Sequence, residues 1–229
     1  CVIADQTGKF WRTTDNGVTW VLVHSEAGSS INGIHFFDDQ NGWAMGDPLA
    51  GHFVIVVTTN GGLSWISSPN APPAESGVAG RVRSFDWIGS QIGIFGTNRW
   101  VIWRTTNGGA LWDSVGTGIQ FIQGVELSDN GIGLASGSGS EGGAFLARST
   151  DFGQTWSPIQ HPPNATFLRN LDWIETTNEV WGVTSQAGIF QSTNEGLGWT
   201  QHILAPPNDF VAGDIDFVDV STGWCVGER

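Results

Sequence analysis

Five residues that could do chemistry together recur once every 40 to 51 positions in this 229-residue sequence: His35, Asp86, Glu126, Asp172 and Asp216. Each stands just before a large apolar residue (Phe36, Trp87, Leu127, Trp173 and Phe217), and four of the five are acidic. Gathered about one point, they could hold a cation such as calcium, which prefers several oxygen ligands. Without a cation, clustered carboxylates repel unless water or backbone N–H groups compensate them. The competing reading is that each carboxylate bonds neighbouring backbone and registers adjacent units. The general satisfaction of buried polar groups within the protein favours that one.

Arginine gives a second candidate. Arg81, Arg83 and Arg169 stand at the entry to two of these apolar stretches, in a chain with only eight arginines and one lysine. Three guanidinium groups in equivalent places suit an anion or a carboxylate; the alternative is pairing with Asp86 and Asp172. A third candidate is Trp87 and Trp173, matched within two copies of "DWI". They could stack on a sugar ring, although packing between structural units is the more usual use of such aromatics. No metal signature is visible, because His24, His35, His52, His161 and His202 lack the short spacing of a zinc site. The Gly-rich "GSGSEGG" (137–143) joins strands rather than opening a helix, so it is not a phosphate loop. No catalytic residue is assigned.

The elements that must position these groups repeat. "RTTDNGVTW" (12–20) returns as "VTTNGGLSW" (57–65), "RTTNGGALW" (104–112), "RSTDFGQTW" (148–156) and "QSTNEGLGW" (191–199). The closing tryptophans Trp20, Trp65, Trp112, Trp156 and Trp199 are 45, 47, 44 and 43 residues apart, a period that signals a repeat architecture. Asp15, Asn60, Asn107, Asp151 and Asn194 share one place in the turn, where a short side chain can accept backbone N–H bonds. A glycine follows two residues later, where positive φ is expected. Between the turns lie hairpins such as "IHFFDDQNGWAMGD" (34–47) and "DIDFVDVSTGWCVGE" (214–228). Four antiparallel strands per unit of this length make a propeller blade, and no segment carries a capped helical period. The fold class expected is all-β, a propeller of four-stranded blades amounting to five blades, with units at about 24–67, 68–115, 116–159, 160–203, and 204–229 with 1–23. In a propeller the first strands are innermost, so the five acid-series residues would ring the central channel. "CVIADQ" (1–6) and "GWCVGE" (223–228) both read as second strands, so one strand is surplus. Either the ends overlap in closure, or the sequence is a slice of a six- or seven-bladed propeller.

The pattern S/T-x-D/N-x-G-x-x-W resembles the Asp-box, or BNR repeat, found in sialidases, sortilin-type receptors, xyloglucanase-like glycoside hydrolases and the photosystem II assembly and stability factor family. The "F-x-D-x-x-x-G-W" units, clearest at Phe36–Trp43 and Phe217–Trp224, look most like that last family and its bacterial surface relatives. The resemblance covers nearly the whole chain and implies a fold rather than an activity. Related assembly factors carry an arginine-lined patch, which Arg81, Arg83 and Arg169 match loosely. A sialidase would need a tyrosine nucleophile, and the chain has no tyrosine. A xyloglucanase-like hydrolase would need two carboxylates flanking a cleft, and nothing in the sequence singles out a pair.

Charge bounds the partners. A net charge of −13 with nine basic residues leaves no basic face for nucleic acid or an anionic membrane. No apolar run is long enough to span a bilayer. Cys1 could be a lipoprotein cysteine, but "CVIADQ" reads directly as a strand. A bond between Cys1 and Cys225 would close almost the whole chain, and the alternative is two free thiols. "NAT" at Asn164 is a glycosylation sequon. The expected function is a non-catalytic binding and assembly module, secreted or at the cell surface (extracellular or periplasmic), with loops at one mouth meeting a protein. The alternative is a carbohydrate-active protein, hydrolase or lectin, with a glycan partner. No cofactor is expected beyond calcium in the channel.

Overall fold

The computed structural model describes residues 1–139, 143–163, 165, 168–174, 176–184, 188–203 and 211–228. The Asn164 sequon and part of the 137–143 loop lie outside them.

Among the described residues every regular element is a strand. The first sheet contains β1 (Val2–Ala4), β2 (Lys9–Arg12) and β3 (Val21–Ser25), in that order. Next comes the sheet of β4 (Ile31–Phe36), β5 (Gly42–Leu49), β6 (His52–Thr58) and β7 (Ile66–Ser67). The third holds β8 (Gly80–Ile88), β9 (Ile92–Thr97), β10 (Val101–Thr105) and β11 (Asp113–Gly116). The fourth holds β12 (Phe121–Leu127), β13 (Gly133–Ser138), β14 (Ala144–Ser149) and β15 (Ser157–Ile159). The fifth holds β16 (Leu168–Trp173), β17 (Val180–Thr184), β18 (Gly188–Ser192) and β19 (Thr200–Ile203), and β20 (Val211–Asp219) pairs with β21 (Thr222–Glu228) in the last. All pairings are antiparallel meanders between sequence neighbours. β1 pairs with β2, the strand that runs into the first corner, and β21 pairs with the first strand β20, so both hold a second-strand place, each in a sheet of fewer than four strands.

Successive sheets meet through their first strands, β4 with β8, β8 with β12, β12 with β16 and β16 with β20. The core is therefore a series of layers between blades rather than one central cluster. Trp43, Met45, Phe53, Trp87, Phe95 and Trp112 fill the layer between the second and third sheets. Ile94, Ile102, Ile122, Val125 and Leu127 fill the next, and Leu134, Leu146, Leu171, Trp173 and Phe190 the one after. Each strand alternates its large residues between two such layers, as a sheet covered on both faces requires.

The repeated corner is held by one set of bonds in all five copies. The hydroxyls of Thr13, Thr58, Thr105, Ser149 and Ser192 accept the N–H of the turn glycine at 2.9 to 3.0 Å. The Asx Oδ1 then accepts the N–H four residues on, from Asp15 to Thr19 at 2.9 Å through to Asn194 to Gly198 at 2.7 Å. Gly17, Gly62, Gly109, Gly153 and Gly196 have φ of 77 to 87°. Where the sequence predicts one left-handed residue, the structure has two in succession, since Asn16, Phe152 and Glu195 also have φ of 56 to 59°. The paired hydroxyl and Asx bonds overcome the steric cost of that conformation. Trp20, Trp156 and Trp199 donate their indole N–H back to the turn glycine carbonyl at 3.0 to 3.1 Å and lead directly into the fourth strand.

Candidate functional site

At one mouth of the channel the first strands begin with a break in register in all five sheets that have them, a one-residue β-bulge in four and, in β8, a longer irregular stretch between Gly80 and Phe85. A bulge turns side chains out of the regular alternation. Here it aims polar groups into a cavity of about 660 Å3 lined by Arg81, Arg83 and Arg169 together with Asn32, Asp47, Gln123 and Asn170. The three arginines singled out in the sequence thus converge on one site. Arg83 has φ of 65°, and its Nη1 lies 2.6 Å from Asp214 Oδ2. Asp214 belongs to β20, two blades beyond the neighbour of β8, so this ion pair reaches across the mouth. Asn170 Nδ2 donates to the other Asp214 oxygen at 2.5 Å. Arg81 donates to the neutral Gln123 Oε1 at 2.7 Å. Arg169 is exposed, and among the described residues its side chain makes no hydrogen bond or ion pair. Two guanidinium groups therefore stand without a carboxylate partner among the described residues; Asp47, the acid in the cavity lining, accepts from Asn32 Nδ2 at 2.8 Å.

Below the mouth the ring carboxylates act on backbone. Asp86 Oδ2 accepts the N–H of Leu127 at 2.6 Å, and Asp172 Oδ2 accepts that of Phe217 at 2.7 Å. Glu126 accepts from the N–H of Trp173. Each carboxylate thus reaches the residue after the next ring member, one blade on. Glu126 faces the channel and keeps some accessible surface, yet protein surrounds it. Burial raises its pKa well above the usual carboxylate range, the charges of Asp86, Asp172 and Asp214 add to this, and the Trp173 N–H opposes it. Burial likewise pushes Asp172 up to about 6, against the Phe217 N–H, with Asp216 and Asp214 adding. His35 packs edge-on to Phe37, and burial lowers its pKa. Asp216 is exposed. Among the described residues, no three His, Cys, Asp or Glu side chains are placed to hold a metal ion, so the calcium expectation gains no geometry here.

Of the two sequence readings of Trp87 and Trp173, a stacking platform or packing between units, the structure places them in the second. They are 7% and 6% exposed, in the layers between blades. Trp87 lies 5.3 Å from Trp43, and Trp173 donates to the Thr177 carbonyl at 3.0 Å. Their place just after a ring acid points them into the interblade core rather than to solvent. Cys1 and Cys225 both carry free thiols, exposed and half-buried respectively.

Sequence reasoning missed the role of three other arginines. Arg12, Arg104 and Arg148 donate Nε–H to the corner carbonyls of Gly61, Phe152 and Glu195, one blade on, at 2.8, 2.6 and 3.2 Å. Arg148 also pairs with the Glu195 carboxylate at 2.5 Å. Their signal was present as the "RTT" and "RST" openings of three corners. It separates arginines that join blades from those that line the mouth.

No known protein family and no curated protein matches the sequence. Solved structures do match. YCF48 bound to D1 peptide is 22% identical with a TM-score of 0.70, over 99% of this chain and 70% of that one. YCF48 from Cyanidioschyzon merolae is 18% identical with a TM-score of 0.68, over 97% and 73%. The GH74 xyloglucanase from Xanthomonas campestris is 16% identical with a TM-score of 0.63, over 86% of this chain and 36% of that one. Similarity at this level speaks for architecture, and with the sheet order above it shows that the chain folds as a β-propeller.

Proposed function

We infer that this chain is a non-catalytic protein-binding and assembly module, an Asp-box propeller of the photosystem II assembly factor type. Its channel mouth receives an acidic or carboxylate-terminated segment of a partner protein. The observation that carries the reading is the convergence of Arg81, Arg83 and Arg169 on one cavity, with Arg81 and Arg169 lacking an acidic partner among the described residues. In a chain of net charge −13, such a site is a local exception to a field that repels anions. The corner bonding supports the Asp-box reading, and the neighbour solved with a D1 peptide supports a peptide partner. A carboxylate bridging two guanidinium groups gains charge-assisted bonds of about 1.5–3 kcal/mol each. Replacing Arg81, Arg83 and Arg169 together by alanine should therefore weaken binding of an acidic peptide by about a hundredfold or more while leaving the fold intact. Unchanged binding rejects the reading.

A further inference from the structure

A second cavity, of about 640 Å3, lies on the outer flank of the third blade; its lining reaches Val78, next to Ala79 of the mouth cavity, and shares no residue with that cavity. Its lining includes Glu75, Val78, Arg99, Trp100, Trp103 and Ser114. Trp100 is the feature that folding does not explain. It is 45% exposed and has φ of 52°, a left-handed conformation costly for a side chain of this size. It immediately precedes the third strand of its blade. In the first two sheets that same corner is filled by Gly8 and Gly51, with φ of 80 and 86°. An indole here adds backbone strain while leaving much of its own surface in water, and strain of this kind concentrates at binding sites.

The walls are preformed. Asn98 Oδ1 accepts the N–H of Ala79 at 3.0 Å, and its amide donates to the Gly77 carbonyl at 3.2 Å. The Trp100 backbone is fixed on its other side, donating to Gln120 and accepting from Thr117, both at 3.2 Å. Trp103 is half-buried and packs against the interblade aromatic layer, which sets the cavity's apolar floor. Around that floor stand Arg99, Glu75 and Ser114. Among the described residues neither Arg99 nor Glu75 has an ion pair or a side-chain hydrogen bond.

The charges narrow the ligand. Arg99 disfavours a cation and Glu75 an anion. Arg99 can only donate and Glu75 can only accept, so the partner must both accept and donate. An extended proline-rich peptide offers carbonyl acceptors but too few donors for Glu75. A pyranose ring offers hydroxyls of both kinds at its rim and a C–H face for the indoles. We propose that this flank cavity is a binding site for a neutral saccharide, with Trp100 as the stacking platform and Arg99, Glu75 and Ser114 reading the hydroxyls.

The test is calorimetric titration with cellotetraose, laminaritetraose, maltotetraose and chitotetraose, on the wild type, Trp100→Gly and Arg99→Ala. Trp100→Gly installs the residue that the corner uses in the first two sheets. The proposal expects at least one tetrasaccharide to bind, and both variants to weaken it about tenfold or more. It also expects the melting temperature of Trp100→Gly to hold or rise. Arg81→Ala, at the mouth, should leave saccharide binding unchanged, which separates this site from the proposed peptide site. Four measurable results would overturn the proposal: no binding of any of the four sugars, full binding by Trp100→Gly, a clear fall in its melting temperature, or occupation of the cavity by a proline-rich peptide in place of sugar.

Discussion

Asp86→Ala isolates the carboxylate staple between blades. Asp86 accepts two backbone N–H groups, from Trp87 at 2.7 Å within its own strand and from Leu127 at 2.6 Å on the next blade. A bond to a charged acceptor contributes about 1.5–3 kcal/mol net, and the local one less because water can replace it. Removing Asp86 also relieves its repulsion of Glu126, which subtracts from the loss. The balance is a destabilisation of about 2 kcal/mol, or a fall in Tm of about 4–8 °C for a chain of this size. Asp216 occupies the matching place but is exposed, so Asp216→Ala should stay within about 0.5 kcal/mol. Thermal melts of the two variants, with hydrogen exchange of the Leu127 amide, provide the assay. Equal melting shifts, or an undiminished protection of Leu127 in Asp86→Ala, would refute the staple.

Glu126 and Asp172 make stability depend on pH with an unusual sign. Both hold their protons more tightly folded than unfolded, Asp172 with a folded value of about 6, so stability is fullest near pH 4 and falls as pH rises through about 6. The corner acids act oppositely, since Asp15 is held at about 2 by the Thr19 hydroxyl and backbone and loses its contribution only as pH falls below about 4. Melts from acid to neutral pH should therefore fall with rising pH, and Glu126→Gln should flatten that slope and raise Tm at neutral pH; a wild-type Tm that rises over this range contradicts the assignment. Thr105→Val keeps the corner's shape but leaves the buried Gly109 N–H without its acceptor at 2.9 Å, and should cost about 1–3 kcal/mol in denaturant titration. Cys1 is exposed, whereas burial and then the Asp214 charge raise the Cys225 thiol, so a thiol reagent should show one fast and one slow phase of equal size.

Much of the architecture was legible because the corners are local. A hydroxyl, an Asx side chain and a glycine within five residues fix a turn without help from distant chain, so five copies predict five corners. The channel mouth was half legible. Arg81, Arg83 and Arg169 could be placed at strand entries, but their convergence depends on bulges and on the left-handed Arg83, which no periodicity reveals. The pairing of Arg83 with Asp214 across the mouth joins residues 131 positions apart. Trp87 and Trp173 show the converse. A matched "DWI" marks a repeated environment, and only the packing between blades decides that the environment is interior. Trp100 was invisible because its significance lies in φ at a corner where the first two sheets use glycine.

The central functional claim is that the mouth arginines, and not the arginines that join blades, meet the partner. Arginine side-chain Nε–Hε resonances followed during titration with an acidic, carboxylate-terminated peptide test it directly. Arg81, Arg83 and Arg169 should shift or broaden while Arg12, Arg104 and Arg148, bound to corner carbonyls, stay in place. Shifts at the blade-joining set with the mouth set unmoved would contradict the account.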